Sequence, residues 1–264
     1  MNFAIACDLE GIGGVVGSPG EGLHQTSRQY AFAAVQAVRE INAAAGALFD
    51  NGADRVYVWD NHNGSLNLDY MELDRRVDIL AGVGGKHRWP GLEDRNISGV
   101  LLIGYHPKAE TYAGILSHTC SSSTYQYMKM NGRSVGEIEI DAIAAARLLK
   151  APVIFVASDD KGVAQTKEVL PWAGSVATKE ALGRNLAILK HPARVVDEIY
   201  SEVGRAVKNM DRMELYDIED PVEVEMRFLR LEDAEKLNNS KTKGAELIDP
   251  YTVRFTARSF LELY

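Results

Sequence analysis

Cysteine is nearly absent. Cys7 and Cys120 are the only two in 264 residues, too few for a disulfide framework, and a reducing compartment is the default. Cys7 lies in an apolar run and reads as core, while Cys120 has no activating base beside it in sequence and reads as a structural thiol. No cluster of Lys and Arg interleaved with aromatics occurs either. With 37 acidic against 29 basic residues the net charge is −8, which argues against nucleic acid as substrate or partner. Long hydrophobic runs are also missing. The most apolar stretch, 31–49, is broken by Gln36, Arg39, Glu40 and Asn42 and cannot span a bilayer. The segment Met1-Asn2-Phe3-Ala4-Ile5-Ala6-Cys7-Asp8 has no basic n-region and meets a carboxylate too early for a secretory signal. A cytoplasmic protein without membrane association is expected. Internal repeats and low-complexity segments are lacking too.

What is present is the material of a real core: 46% hydrophobic residues against 25% charged, ordinary for a globular chain. Short β-branched and aromatic runs alternate with helical patterns, which predicts an α/β fold. Its centre is expected to be a mostly parallel or mixed sheet flanked by helices, with a smaller α+β C-terminal lobe. The division expected is 1–190 for the catalytic, metal-binding part and 191–264 for the lobe.

Strands are predicted at 3–7, 55–59, 77–80, 100–103, 114–119, 152–157, 222–228 and 251–256. Asn131-Gly132 is a hairpin turn signal between strands at 125–130 and 134–135. Helices are predicted from a cap at Thr26 or Ser27 to about 49, with Gly52 just beyond its end, and over 137–150 and 192–208. A short helix up to about 170 and another at the very end complete the pattern.

The chemistry-bearing residues share a position. Asp8 and Glu10, His62, and His106 each follow a predicted strand, and in open α/β sheets ligands collect beyond the carboxyl ends of strands. Asp8 and Glu10 are two apart, so an extended segment turns both carboxylates to one side, where they repel unless protons or a cation intervene. Alone, such a pair is as readily an acidic turn before a helix. The glycines after it make neither a complete dinucleotide fingerprint nor a phosphate loop, since no Lys-Ser/Thr follows.

His62 is bracketed by Asp60, Asn61 and Asn63, with Asp60 the candidate partner for its second ring nitrogen. A lone loop histidine is more often inert than a ligand; two at strand ends beside a carboxylate pair shift that balance. Glu137, at a helix start after the hairpin, offers a further carboxylate. His118 differs, lying inside a predicted strand after Ser117. It is either a half-buried structural histidine or a proton-transfer or nucleophilic group beside the metal. His24, His87 and His191 have weaker contexts and read as surface or loop residues.

Five motifs then appear in order: Asp8-Leu9-Glu10-Gly11-Ile12, Asp60-Asn61-His62, Gly104-Tyr105-His106, Ser117-His118 and Val135-Gly136-Glu137. No single one is specific, but together they resemble the zinc-dependent D-aminopeptidase family, peptidase family M55, over most of the chain, including Val156-Ala157-Ser158-Asp159-Asp160. The resemblance implies two zinc ions per subunit held by Asp8, Glu10, His62, His106 and Glu137, with Asp8 bridging and His118 as the catalytic residue. It further implies hydrolysis of short peptides with an N-terminal D-amino acid such as D-Ala, in a ring-shaped homo-oligomer, a decamer, with its active sites facing an internal channel. This chain departs from the family pattern Gly-Glu-x-Gly-x-Asn-Ala, carrying Glu139 and Asp141 at the Gly and Asn positions, and it has serines at 121–123. These changes are expected to alter the pocket lining. Carboxylates and imidazoles would equally serve another two-metal hydrolase such as a phosphoesterase or amidase, or a metal-stabilised peptide-binding protein without activity. The missing basic cluster argues mildly against phosphate.

Overall fold

The structure, a computed structural model, describes residues 1–240 and 244–263. Strand β1 (Asn2–Cys7) is the centre of a six-stranded parallel sheet with β2 (Arg55–Asp60), β3 (Asp78–Leu80), β4 (Ile97–Ile103), β7 (Val153–Ser158) and β8 (Gly174–Ala177). The spatial order is β3-β2-β1-β4-β7-β8, so the winding reverses between β1 and β4. A crevice opens at that reversal beyond the carboxyl ends of the strands.

Alternation sorts the two faces. Phe3, Ile5 and Cys7 pack with helix α1 (Tyr30–Asp50) and helix α4 (Pro192–Lys208), whereas Ala4, Ala6, Val100 and Leu102 face the opposite core. Both faces are covered, so β1 reads as a continuous apolar run rather than an alternating one. The stripe Ala33, Ala37, Ile41, Ala44 and Leu48 is buried and turns one side of α1 to the sheet.

The opposite core is closed by helix α2 (Glu137–Ala144) and a five-stranded antiparallel sheet. This sheet has the order β12-β13-β11-β5-β6, from β5 (Tyr125–Met130), β6 (Arg133–Ser134), β11 (Val222–Phe228), β12 (Glu246–Asp249) and β13 (Thr252–Ala257). Asn131 and Gly132 both have positive φ, 49° and 77°, as a two-residue hairpin turn requires. Strands from both sides of residue 190 pair in this sheet, and α4, beyond 190, packs on α1 and the parallel sheet. A lobe of 191–264 alone would lack β5 and β6.

Several expectations shift. Helix α1 starts at Tyr30 because Ser27 is used elsewhere: its Oγ donates to the Gly22 carbonyl and accepts from His24 N–H. Helix α2 ends early in a π-turn over Ala145–Leu149 that closes at Lys150 in the left-handed region. The segment 114–119 forms no strand. Leu116 and the flanking Ala113 and Cys120 have positive φ, and its amides bond outside any ladder, Ile115 N–H to Asp159 and Leu116 N–H to the Arg184 carbonyl. Not anticipated were β8, the ribbon of β9 (Lys179–Gly183) and β10 (Leu186–Leu189), β12, and α5 (Leu231–Asn238). Helix α3 (Asp160–Val169) is capped by Asp159, which accepts from Gly162 N–H at 2.7 Å. Among the described residues no helix is long and apolar enough to cross a membrane.

Candidate metal centre

The crevice at the reversal brings together the loops after β1, β2 and β4. Gly11 and Gly104 permit their close approach: a Cβ on Gly11 would lie 2.0 Å from the Tyr105 carbonyl oxygen, and one on Gly104 2.2 Å from that of Asp8. Gly11 N–H donates to the Gly104 carbonyl at 2.7 Å, stitching the two loops. The glycines after Asp8 thus serve loop-on-loop packing.

All six sequence-predicted residues meet there. His62 Nδ1 lies 2.7 Å from Asp8 Oδ1 and 3.2 Å from Glu10 Oε2. On the other side His106 Nε2 lies 3.4 Å from Asp8 Oδ2 and 3.2 Å from Glu137 Oε1. The two oxygens of Asp8 therefore point to two different imidazoles, each with its own glutamate. His118 stacks on His106 at 3.8 Å between ring centroids, and its Nε2 is 3.9 Å from Glu137 Oε1. By mutual distance, Asp8, Glu10 and His106 form one compact donor set and His106, His118 and Glu137 another, each within 4.8 Å. The two sets overlap at His106, and His62 belongs to neither.

The far side of each ring is spoken for. His62 Nε2 donates to the Leu23 carbonyl at 2.6 Å, His106 Nδ1 to that of Pro107 at 3.0 Å, and His118 Nδ1 to that of Leu116 at 2.8 Å. A carbonyl only accepts, so each of these nitrogens carries hydrogen and the opposite nitrogen is turned to the carboxylates. The expectation for Asp60 is corrected: it accepts from Asn67 and Leu68, shaping the loop after β2, and the Leu23 carbonyl orients His62 instead.

Charge balance shows what the cluster demands. Asp8, Glu10, His62 and His106 are buried, as is most of Glu137. Burial disfavours the imidazolium, yet the Glu10 charge and the Asp8 hydrogen bond push His62 up to about 12. His106 rises to about 10, burial being outweighed by the adjacent Glu137 carboxylate. Burial would raise Asp8 and Glu137, but the facing imidazoles hold Asp8 well below the usual carboxylate range and Glu137 at about 2. His118 moves the other way, lowered by burial and by the His106 charge. Glu10 Oε2 and His106 Nε2 are buried without a hydrogen bond among the described residues. Three carboxylates, two imidazoles with their spare nitrogens facing inward and two orphaned donor atoms fit zinc, which takes nitrogen and oxygen ligands.

Sequence reading missed the support behind this cluster. Lys179, on β9, is fully buried and donates from Nζ to the carbonyls of Glu10 and Ile12 at 2.7 and 2.8 Å; burial lowers its pKa to about 8. Thr178 Oγ1 donates to the Gly11 carbonyl at 2.7 Å. Glu40, from α1, accepts from Gly13 N–H at 2.9 Å, and burial, against Gln36, Gly13 and Lys179, raises it to about 7. No motif marks these residues, since their partners are backbone groups far away in sequence.

Glu40 carries a pH prediction. The folded chain holds this proton up to about 7 while the unfolded chain releases it near the ordinary 4.5. The contribution of Glu40 to stability is full below 4.5 and is lost as pH rises through this window, by up to about 3 kcal/mol. In Glu40→Gln one amide oxygen still accepts from Gly13, and this residue's share of the slope should be lost while that of His62 and His106 remains. Denaturant titrations at pH 5 and 8 check this; an unchanged slope in the variant rejects it.

The acids that depart from the family pattern are also placed. Glu139 faces away from the crevice, accepting from Gly136 N–H and Gln165 at the start of α2. Asp141 is buried and pairs with Arg88, which does line the crevice. Ser121, Ser122 and Ser123 line it as well, and so does His24, which had read as a surface or loop residue.

Residues 1–264 match the family model of Peptidase M55, D-aminopeptidase. A D-aminopeptidase of Bacillus subtilis (strain 168) is 27% identical over 267 residues, spanning 100% of this chain and 94% of its own length. Among solved structures, the Zn-dependent D-aminopeptidase DppA from Bacillus subtilis, a self-compartmentalizing protease, aligns with a TM-score of 0.90 and 26% identity, covering 99% of this chain and 93% of that one.

Proposed function

Since the chain belongs to the peptidase M55 family of D-aminopeptidases, we propose that it is a zinc-dependent aminopeptidase for short peptides with an N-terminal D-amino acid such as D-Ala. Two zinc ions per subunit would be held by Asp8, Glu10, His62, His106 and Glu137. The observation that carries this reading is the aim of Asp8, one oxygen toward the His62–Glu10 pair and the other toward the His106–Glu137 pair, the posture of a bridging carboxylate. Zinc in such a site acidifies water and polarises an amide carbonyl.

The chain's own groups supply the rest. The Leu23 and Pro107 carbonyls fix the orientation of the two imidazoles that would hold zinc. His118, whose proton affinity is lowered by burial, presents an Nε2 lone pair to the cavity. It would accept a proton from the attacking water and deliver it to the leaving amine. Purified protein is expected to contain about two zinc ions per subunit and to cleave D-Ala dipeptides well ahead of their L-counterparts. Phosphoester turnover in parallel assays would favour the rival hydrolase, and loss of fold rather than turnover on chelation would favour a non-catalytic binder.

A ring-shaped homo-oligomer, a decamer with sites facing an internal channel, belongs to the same proposal. The β9–β10 ribbon leaves Leu182, Leu186, Ile188 and Leu189 exposed, an apolar face suited to a second copy. Its Arg184 donates to the Ser117 carbonyl at 2.5 Å, next to His118. Placing Asp at both 186 and 188 should shift native mass spectra to smaller species; an intact assembly would remove the ribbon from the interface.

A further inference from the structure

We infer that Arg88 binds the carboxylate of the leaving amino acid, so that the enzyme selects peptides whose free C-terminus adjoins the cleaved bond. This rests on the aminopeptidase reading above. The crevice around the metal cluster is an open cavity of about 470 Å³. Arg88 is the one Lys or Arg among the described residues that line it, alongside Asp8, Glu10, His62, His118 and Glu137.

Its guanidinium is held on two sides. Nε and Nη2 each donate to Asp141 at 2.6 Å, a bidentate pair, and the group sits 5.0 Å from the centroid of the Trp59 ring. Asp141 is fully buried and is itself fixed by the Tyr105 hydroxyl at 2.5 Å and by Asn61 Nδ2 at 3.4 Å. Trp89, next to Arg88 in the chain, donates from Nε1 to the Asp141 carbonyl at 3.0 Å. The Arg88 side chain retains 20% of its exposure, and Nη1 has no hydrogen bond among the described residues.

Such an arrangement exceeds what a structural ion pair needs. Burying an arginine only to neutralise Asp141 would turn its remaining donors to protein acceptors, because an unmet donor is costly. Here one edge is fixed and the other is left for a planar acceptor, the geometry by which arginine reads carboxylates. Outside the metal-ligand cluster no other Lys or Arg lines the cavity among the described residues, so anchoring a carboxylate away from that cluster falls to Arg88. In a dipeptide the carboxylate carbon is two bonds from the leaving nitrogen; in a longer peptide or an amide that place is neutral.

The test compares D-Ala-Gly with its C-terminal amide on the zinc-loaded enzyme. Wild type is expected to prefer the acid by about 30-fold in kcat/KM, the scale of a charge-assisted hydrogen bond, with the difference in KM. In Arg88→Gln the acid-to-amide ratio should collapse toward one at unchanged zinc content, and Arg88→Lys should recover part of it. A wild-type ratio near one overturns the proposal without needing any variant. So does a ratio that survives in Arg88→Gln because both substrates decline together. If wild type cleaves neither substrate, the aminopeptidase reading fails and this inference falls with it.

Discussion

Asp8→Asn is expected to yield a folded protein that holds almost no zinc and turns over substrate at least about 10³-fold more slowly, beyond the 10- to 100-fold that loss of an outer partner costs. The substitution keeps volume and hydrogen-bonding shape but removes the one charge facing both imidazoles. Folding should survive, since Asp8 N–H bonds the Ile103 carbonyl and the loop is held from behind by Lys179 and Thr178, none of which depends on the side chain. The wild-type metal-free enzyme offers a companion measurement. With His62 at about 12 and His106 at about 10, both rings are protonated at pH 8. Zinc must displace those protons, so calorimetry in buffers of different ionisation enthalpy should report about two released per loaded subunit. Retention of two zinc ions by Asp8→Asn would remove Asp8 from the bridging position.

How much of this was legible beforehand follows from how local each signal is. Strands β1, β2, β4 and β7 are buried on both faces, so their sequences are unbroken apolar runs that announce themselves, and the residues just past three of them could be read as one edge. The Asn131-Gly132 turn is equally local. Strand β8 has four residues, and α5 buries only Ala234, so neither imprints a strong period. The mistaken strand at 114–119 is an instructive failure. Its residues suit a strand, but Asp159 and Arg184, both distant in sequence, take its backbone groups and fold it into turns around His118. The candidate site divides in the same way. Donor residues on strand ends were visible, while Leu23, Arg88 and Lys179 act through long-range contacts that no spacing encodes.

His118→Ala is expected to lower kcat by about 10²- to 10⁴-fold, the range for loss of a general acid–base group, with zinc content unchanged. Geometry gives two roles to weigh. Its Nε2 falls within one compact donor set with His106 and Glu137, which would suit a ligand. Against that, Glu137 and His106 are already engaged with each other and with Asp8 at 3.2 and 3.4 Å, while His118 stands off at 3.9 Å and stacks on His106 face to face. A ring stacked 3.8 Å from the His106 imidazole at 14° sends its nitrogens alongside that neighbour rather than toward a shared point. Its lowered proton affinity also leaves it free to take a proton near neutrality, whereas His62 and His106 hold theirs in the metal-free cluster. The turns of 114–119 then gain a purpose: they fix Nδ1 on the Leu116 carbonyl and leave one nitrogen for chemistry. Zinc analysis of the variant separates the roles. Full zinc with lost turnover makes His118 the proton carrier, loss of about one ion per subunit makes it a ligand, and retained turnover denies it both.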